Sequence, residues 1–112
     1  MKVELKKEPS FKKNGFQGFT YPLNSTDVEI SYIDCFHQHD KYCIYQGVFI
    51  YYVVEGNGKF KIGNDIFDVK NGDMIEVPAN TEFVYKGKMK LLLIKKGKFD
   101  PTLNQDTKDN DL

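Results

Sequence analysis

Apolar and polar residues alternate along this chain in short runs, and none carries a helical period. The pattern is densest from Val48 to Tyr85. Val48 to Val54 is a continuous β-branched and aromatic run, Lys59 to Ile62 alternates charged with apolar residues, and Ile66–Val69 and Met74–Val77 follow. Between them stand Glu55-Gly56-Asn57-Gly58, Gly63-Asn64-Asp65, Lys70-Asn71-Gly72-Asp73 and Pro78-Ala79-Asn80, all rich in turn formers. Strands this short, with turn signals about every eight to twelve positions, predict an all-β barrel or sandwich.

The flanks add strands of the same kind. Val28 to Phe36 alternates, which predicts a strand with Val28, Ile30 and Tyr32 facing the core and Glu29 and Ser31 facing out. Lys86-Gly87-Lys88 reads as a tight turn before a last buried strand, Met89 to Ile94. Residues 1–27 form an N-terminal arm, with a short strand at Lys2–Leu5 and a glycine-spaced aromatic segment, Gly15–Leu23, that covers a barrel edge or end. Residues 28–98 form the barrel. Residues 99–112 are polar and non-periodic, which predicts a disordered tail. Val48–Val54 is apolar on both faces, as in a strand at the centre of two layers or at an interface between copies, and a homodimer is expected.

Composition removes several function classes. The chain has 112 residues, enough for one domain, and a formal net charge of +0. All sixteen basic residues are lysine, so the bidentate clamps that arginine supplies to phosphate, carboxylate and guanine are missing. Nucleic acid is not an expected partner. No apolar run is long enough for a secretory leader or a membrane-spanning helix, so a cytoplasmic protein with no membrane partner is expected. In that compartment Cys35 and Cys43 are free thiols.

Gly72-Asp73, Pro78 and Asn80, with the hairpins around them, resemble the second motif of the cupins, small double-stranded β-helix (jelly-roll) barrels. The resemblance runs from about Ile30 to Lys95. Gly72 admits the turn into the strand, Pro78 stops it, and Asn80 stands where a second glycine gives positive φ. The resemblance implies a metal histidine and a metal glutamate at positions occupied here by Phe83 and Phe49. Neither can bind metal. His37 and His39 have the spacing of the family's histidine pair but sit too early in the chain. The resemblance therefore implies a cupin-like barrel with a degenerate metal site and no cofactor.

Cys35-Phe36-His37-Gln38-His39-Asp40-Lys41-Tyr42-Cys43 carries the most chemistry in the chain. In an extended segment residues 35, 37 and 39 share a face. Cys35, His37, His39 and Cys43 could then hold a divalent metal such as zinc, iron or manganese. Alternatively His37 or His39 is a general base, with Tyr42, Tyr45 or Tyr51 as the acid, in a metal-independent sugar or keto-acid isomerase or epimerase. The bland alternative is a polar loop with two packed thiols. Tyr45, Phe49, Tyr51, Phe60, Phe83 and Tyr85 share the parity of barrel-facing positions, and they either fill a solid core or line a pocket for a small molecule. Asp65, Asp68, Glu76 and Glu82 read as a solvated outer face, and there is no phosphate-cradling loop or nucleophile elbow. The leading expectation is a metal-free small-molecule-binding barrel. The isomerase and a metal-dependent cupin enzyme are its alternatives.

Overall fold

The computed structural model describes residues 1–112. The alternating runs become nine strands: β1 (Phe11–Lys13), β2 (Phe16–Thr20), β3 (Val28–Cys35), β4 (Lys41–Tyr45), β5 (Phe49–Ile62), β6 (Asp65–Lys70), β7 (Met74–Val77), β8 (Phe83–Lys96) and β9 (Asn104–Asp109). There is no α-helix; the only helical piece is a 3-10 turn at Pro101–Leu103.

β5 and β8 pair antiparallel over their whole length, from Phe49↔Lys95 to Ile62↔Phe83, and they organise the barrel. One layer is built on the Phe49 end of this pair: β1, β2 and β3 continue onto β8, and β7 attaches to β5. The other layer is built on the Phe83 end: β4 attaches to β8 and carries β9 on its outer edge, and β6 attaches to β5. The chain is an all-β, cupin-like jelly roll.

Two turns expected from glycine are bends inside these long strands. Gly58 lies opposite Gly87, and a Cβ on Gly87 (φ +128°) would sit 2.6 Å from the Asn57 carbonyl oxygen and 2.6 Å from the Gly58 Cα. Glycine here lets two backbones close up where the sheet curls, so the pairing passes through. The turn at Pro78–Asn80 forms as read, and Asn80 is the one non-glycine residue with positive φ, 58°.

Three other expectations change. Lys2–Leu5 forms no strand; the first is β1, whose Phe11 packs edge-on to Phe16. The tail is ordered: β9 pairs with β4, Asn110 Nδ2 donates to the carbonyls of His39 and Tyr85 at 2.8 and 3.0 Å, and the Tyr42 hydroxyl donates to Asp111 at 2.5 Å. Its order comes from pairing to an open sheet edge, which polar side chains do not prevent. Finally, β3 has the opposite parity. Ser31, Ile33 and Cys35 are buried, while Val28, Ile30 and Tyr32 are only half-buried. The apolar residues change face along this strand, from Val28, Ile30 and Tyr32 to Ile33 and Cys35, and the Ile33–Cys35 end fixes which face turns inward.

Between the layers lies a core of Ile33, Val53, Phe60, Val69, Ile75, Phe83, Met89 and Leu91, with rings meeting edge to face, as for Phe49 and Phe83 at 5.9 Å. Each such side chain contributes about 1.5–3 kcal/mol through burial.

Candidate functional site

The core does not fill the barrel. A cavity of about 510 Å³ lies between the layers, with Phe16, Ile33, Cys43, Phe49, Tyr51, Tyr85 and Leu93 on its walls. Ser10, Phe11 and Lys13 from the N-terminal segment and Phe99, Pro101, Asn104 and Asp106 from the C-terminal one also border it. The segments read as arm and tail thus build part of the site.

His39 is set into this cavity by backbone bonds. The Phe36 and His37 amides both donate to the Gly15 carbonyl at 3.1 Å, the His39 amide donates to Tyr85 O at 2.9 Å, and the Gly87 amide donates to His37 O at 2.8 Å. Two successive donors on one carbonyl bend the chain at 36–37 and break the alternation. As a result Cys35 is buried in the core, His37 is exposed and absent from the cavity wall, and His39 lines it. The two histidines, equivalent by spacing, are separated by this bend.

The His39 ring stacks on Phe16 at 4.9 Å and lies 4.9 Å from the Tyr85 ring and 5.6 Å from Phe83. Its Nδ1 is 2.7 Å from the Lys41 carbonyl oxygen. A carbonyl only accepts, so Nδ1 carries the hydrogen and Nε2 keeps its lone pair. No fully buried side-chain nitrogen or oxygen lacks a partner, and Nε2 has none in the protein, so it opens onto accessible space. Burial lowers the His39 pKa to about 4, the Lys41 carbonyl and the charges of Asp106 and Asp40 opposing it. The imidazole is neutral at physiological pH.

Beside it are two phenols. The Tyr51 and Tyr85 rings meet at 5.4 Å. Burial pushes both pKa values well above the usual tyrosine value, so they act as neutral hydroxyls. Toward the other end, Glu29 and Lys95 face each other across β3 and β8, with Lys95 Nζ 2.9 Å from Glu29 Oε2. Their side chains are only 15% and 6% exposed. Burial pushes the Glu29 carboxyl up, but the bond and charge of Lys95, with the Phe99 amide, outweigh it and leave its pKa lowered.

Of the residues read as ligand-binding, Phe49, Tyr51 and Tyr85 reach the cavity. Phe60 and Phe83 do not; both are fully buried, with Phe60 stacked on Tyr85 at 4.8 Å. Tyr45 is a core residue stacked between Phe49 and Phe99 at 4.6 and 5.2 Å, its hydroxyl accepting from the Asp100 amide at 3.2 Å. Tyr42, a candidate acid, is spent on Asp111 and has Lys108 4.6 Å above its ring. The proposed metal row does not assemble: no group of three or more His, Cys, Asp or Glu side chains is placed to hold an ion. Burial raises the Cys35 and Cys43 thiols to about 11 and 12, so both stand protonated. The sequence conceals the Glu29–Lys95 pair because the alternation from Val28 to Tyr32 points Glu29 outward. Extending the inner alternation Met89, Leu91, Leu93 by one step reaches Lys95.

No family model matches the chain. It is 32% identical over 68 residues to an uncharacterised protein of Methanocaldococcus jannaschii, a match covering 61% of this chain and 50% of that one. The chain therefore spans about half the length of this curated relative. Among solved structures it is similar to the Streptomyces nucleoside dehydratase Pac13, with a TM-score of 0.83 and 22% identity over 96% of this chain and 86% of that one. Pac13 variants with a histidine replaced by glutamine, or either of two tyrosines by phenylalanine, have been solved with uridine. It also resembles KdgF from Halomonas, with a TM-score of 0.73 and 14% identity over 86% of this chain and 91% of that one. Salicylate 1,2-dioxygenase from Pseudoaminobacter salicylatoxidans matches over 80% of this chain and 27% of its own, with a TM-score of 0.71 and 15% identity. These likenesses establish the cupin-like barrel fold.

Proposed function

We propose that this protein is a metal-independent acid–base enzyme of the lyase type, removing water from a small hydroxylated carbonyl compound of nucleoside size. The observation that carries this reading is His39: a neutral imidazole whose Nδ1–H is fixed on the Lys41 carbonyl and whose Nε2 is free beside Tyr85, in a cavity of about 510 Å³. One base of this kind suffices. Nε2 takes the proton from the carbon next to the carbonyl. The released electron pair forms the new double bond as the neighbouring C–O bond breaks, and the imidazolium returns its proton to the departing oxygen as water. Tyr51 and Tyr85 serve as neutral donors to the carbonyl oxygen, where negative charge develops. A base near pKa 4 is weak but is already unprotonated at neutral pH, and its conjugate acid is strong enough to protonate a leaving hydroxyl.

Dehydration is preferred to isomerisation for a specific reason. A histidine and two tyrosines are the residue types substituted in the structures of the Streptomyces nucleoside dehydratase with uridine, and one histidine with two tyrosines meets in this cavity. The test uses chelator-treated protein and β-hydroxy aldehydes and ketones of sugar or nucleoside size, followed by NMR in deuterated water. Alkene formation that disappears in His39→Gln and persists in His37→Gln supports the reading. Binding without turnover, unaffected by His39→Gln, would return the protein to a simple ligand-binding barrel.

The assembly we propose is a homodimer. On the outer face of the first layer, Ile30, Ile94 and Ile50 align across β3, β8 and β5, and Tyr32, Leu92, Tyr52 and Met74 align beside them. Met74 is 65% exposed. Two apolar rows this long on one sheet face suit a second copy, and Tyr52→Lys should shift a dimer to monomer in light scattering.

A further inference from the structure

The inner face of β8 is apolar from Met89 through Leu91 and Leu93 and then ends in Lys95. Its cross-strand neighbour is Glu29. The proton-transfer reading uses neither. Stability does not explain them: replacing a buried ion pair by apolar residues of similar volume is often neutral or stabilising. The detailed bonding points elsewhere. The Phe99 amide, at 3.1 Å, and the Lys95 ammonium, at 2.9 Å, both meet Glu29 Oε2, leaving Oε1 available. Because no fully buried side-chain oxygen is unpaired, Oε1 reaches accessible space, and both side chains border the cavity. The ammonium lies 5.1 Å over the Phe99 ring and forms an ion pair with Glu29 Oε2, which leaves it donors to spare. The pair therefore offers a donor beside an acceptor while carrying no net charge. A phosphate or carboxylate would meet Glu29 as well as Lys95, so a free anion is a poor match.

We infer that the Glu29–Lys95 pair is the specificity end of the cavity, reading an adjacent carbonyl and N–H on the edge of a cyclic imide such as a pyrimidine base. This rests on the reading of the His39 end as the reacting end for a nucleoside-sized molecule. Lys95 donates to the ring carbonyl, Glu29 Oε1 accepts the ring N–H, and Phe49 lines the wall between.

The experiment is calorimetric titration of uridine and N3-methyluridine, in which the ring N–H is blocked. Wild-type protein should prefer uridine by roughly ten- to hundredfold, since methylation leaves a buried charged acceptor unpaired. The double variant Glu29→Leu/Lys95→Met should lose that preference, with thermal unfolding confirming that it is folded. His39→Gln should keep the preference while losing turnover, so failure of the base and failure of the subsite are told apart. Equal wild-type affinity for the two nucleosides, no uridine binding at all, or a preference that survives in the double variant would overturn the inference. The wild-type comparison stands even if the double variant does not fold.

Discussion

Protonating His39 should destabilise the barrel in a pH window that no other depressed group shares. Its pKa in the folded chain is lowered to about 4 from the ordinary 6.5, because the half-buried ring, packed among Phe16, Phe83 and Tyr85, disfavours the imidazolium. Between those values the unfolded chain binds a proton that the folded chain refuses. Unfolding free energy therefore falls as pH drops through 6.5 and levels off below 4. At 1.36 kcal/mol per pKa unit the full difference is about 3 kcal/mol. About 2 kcal/mol of it should be gone by pH 5. Carboxylates held low by partners, Glu29 among them, lose their contribution only at lower pH, near and below their unfolded values. The assay is urea unfolding at pH 7.5, 6.5, 5.5 and 5, for wild-type and His39→Gln. Wild-type stability should decline by about 2 kcal/mol across the series, and the decline should be absent in the variant. A flat wild-type profile, or the same slope in both proteins, would refute the claim that His39 is held neutral by burial.

Two predictions concern the fold. Gly87→Ala places a Cβ 2.6 Å from the Asn57 carbonyl oxygen at φ +128° and should cost about 2 kcal/mol or more, read as a fall in urea midpoint; Gly63→Ala, at φ +58° with nothing within 4 Å, should cost only about 1 kcal/mol. Cys35 and Cys43 are buried, with thiols raised to about 11 and 12, so at pH 8 both should react with Ellman's reagent at least about a hundredfold more slowly in the native protein than in urea. One fast equivalent would contradict the burial.

The fold class was legible because period-two alternation and glycine-rich punctuation are local signals, and the Gly72–Asn80 turn residues behave as their chemistry requires. Gly56, Gly58 and Gly87 misled for a physical reason: glycine marks both a reversing turn and a close approach of two strands, and only the pairing distinguishes them. β9 could not be read from Asn104–Asp109, whose order comes from the β4 edge it covers. The site was half legible. The stretch from Cys35 to Cys43 announced its chemistry, but His37 and His39 differ only through the bend that Gly15 imposes from a distant part of the chain. Glu29 and Lys95 are unremarkable apart; their meaning lies in facing each other, and the alternation at the start of β3 points Glu29 outward while its Ile33–Cys35 end turns that face inward.

The central claim is that His39 stands in a ligand site that needs no metal, and NMR of the His39 ring in chelator-treated protein tests it most directly. Adding uridine should shift the His39 carbon-bound ring protons, with Nδ1 still protonated and His37 unmoved, and adding zinc, iron or manganese should leave the affinity unchanged. Uridine that binds without disturbing His39, or that binds only once a metal is supplied, would contradict the account.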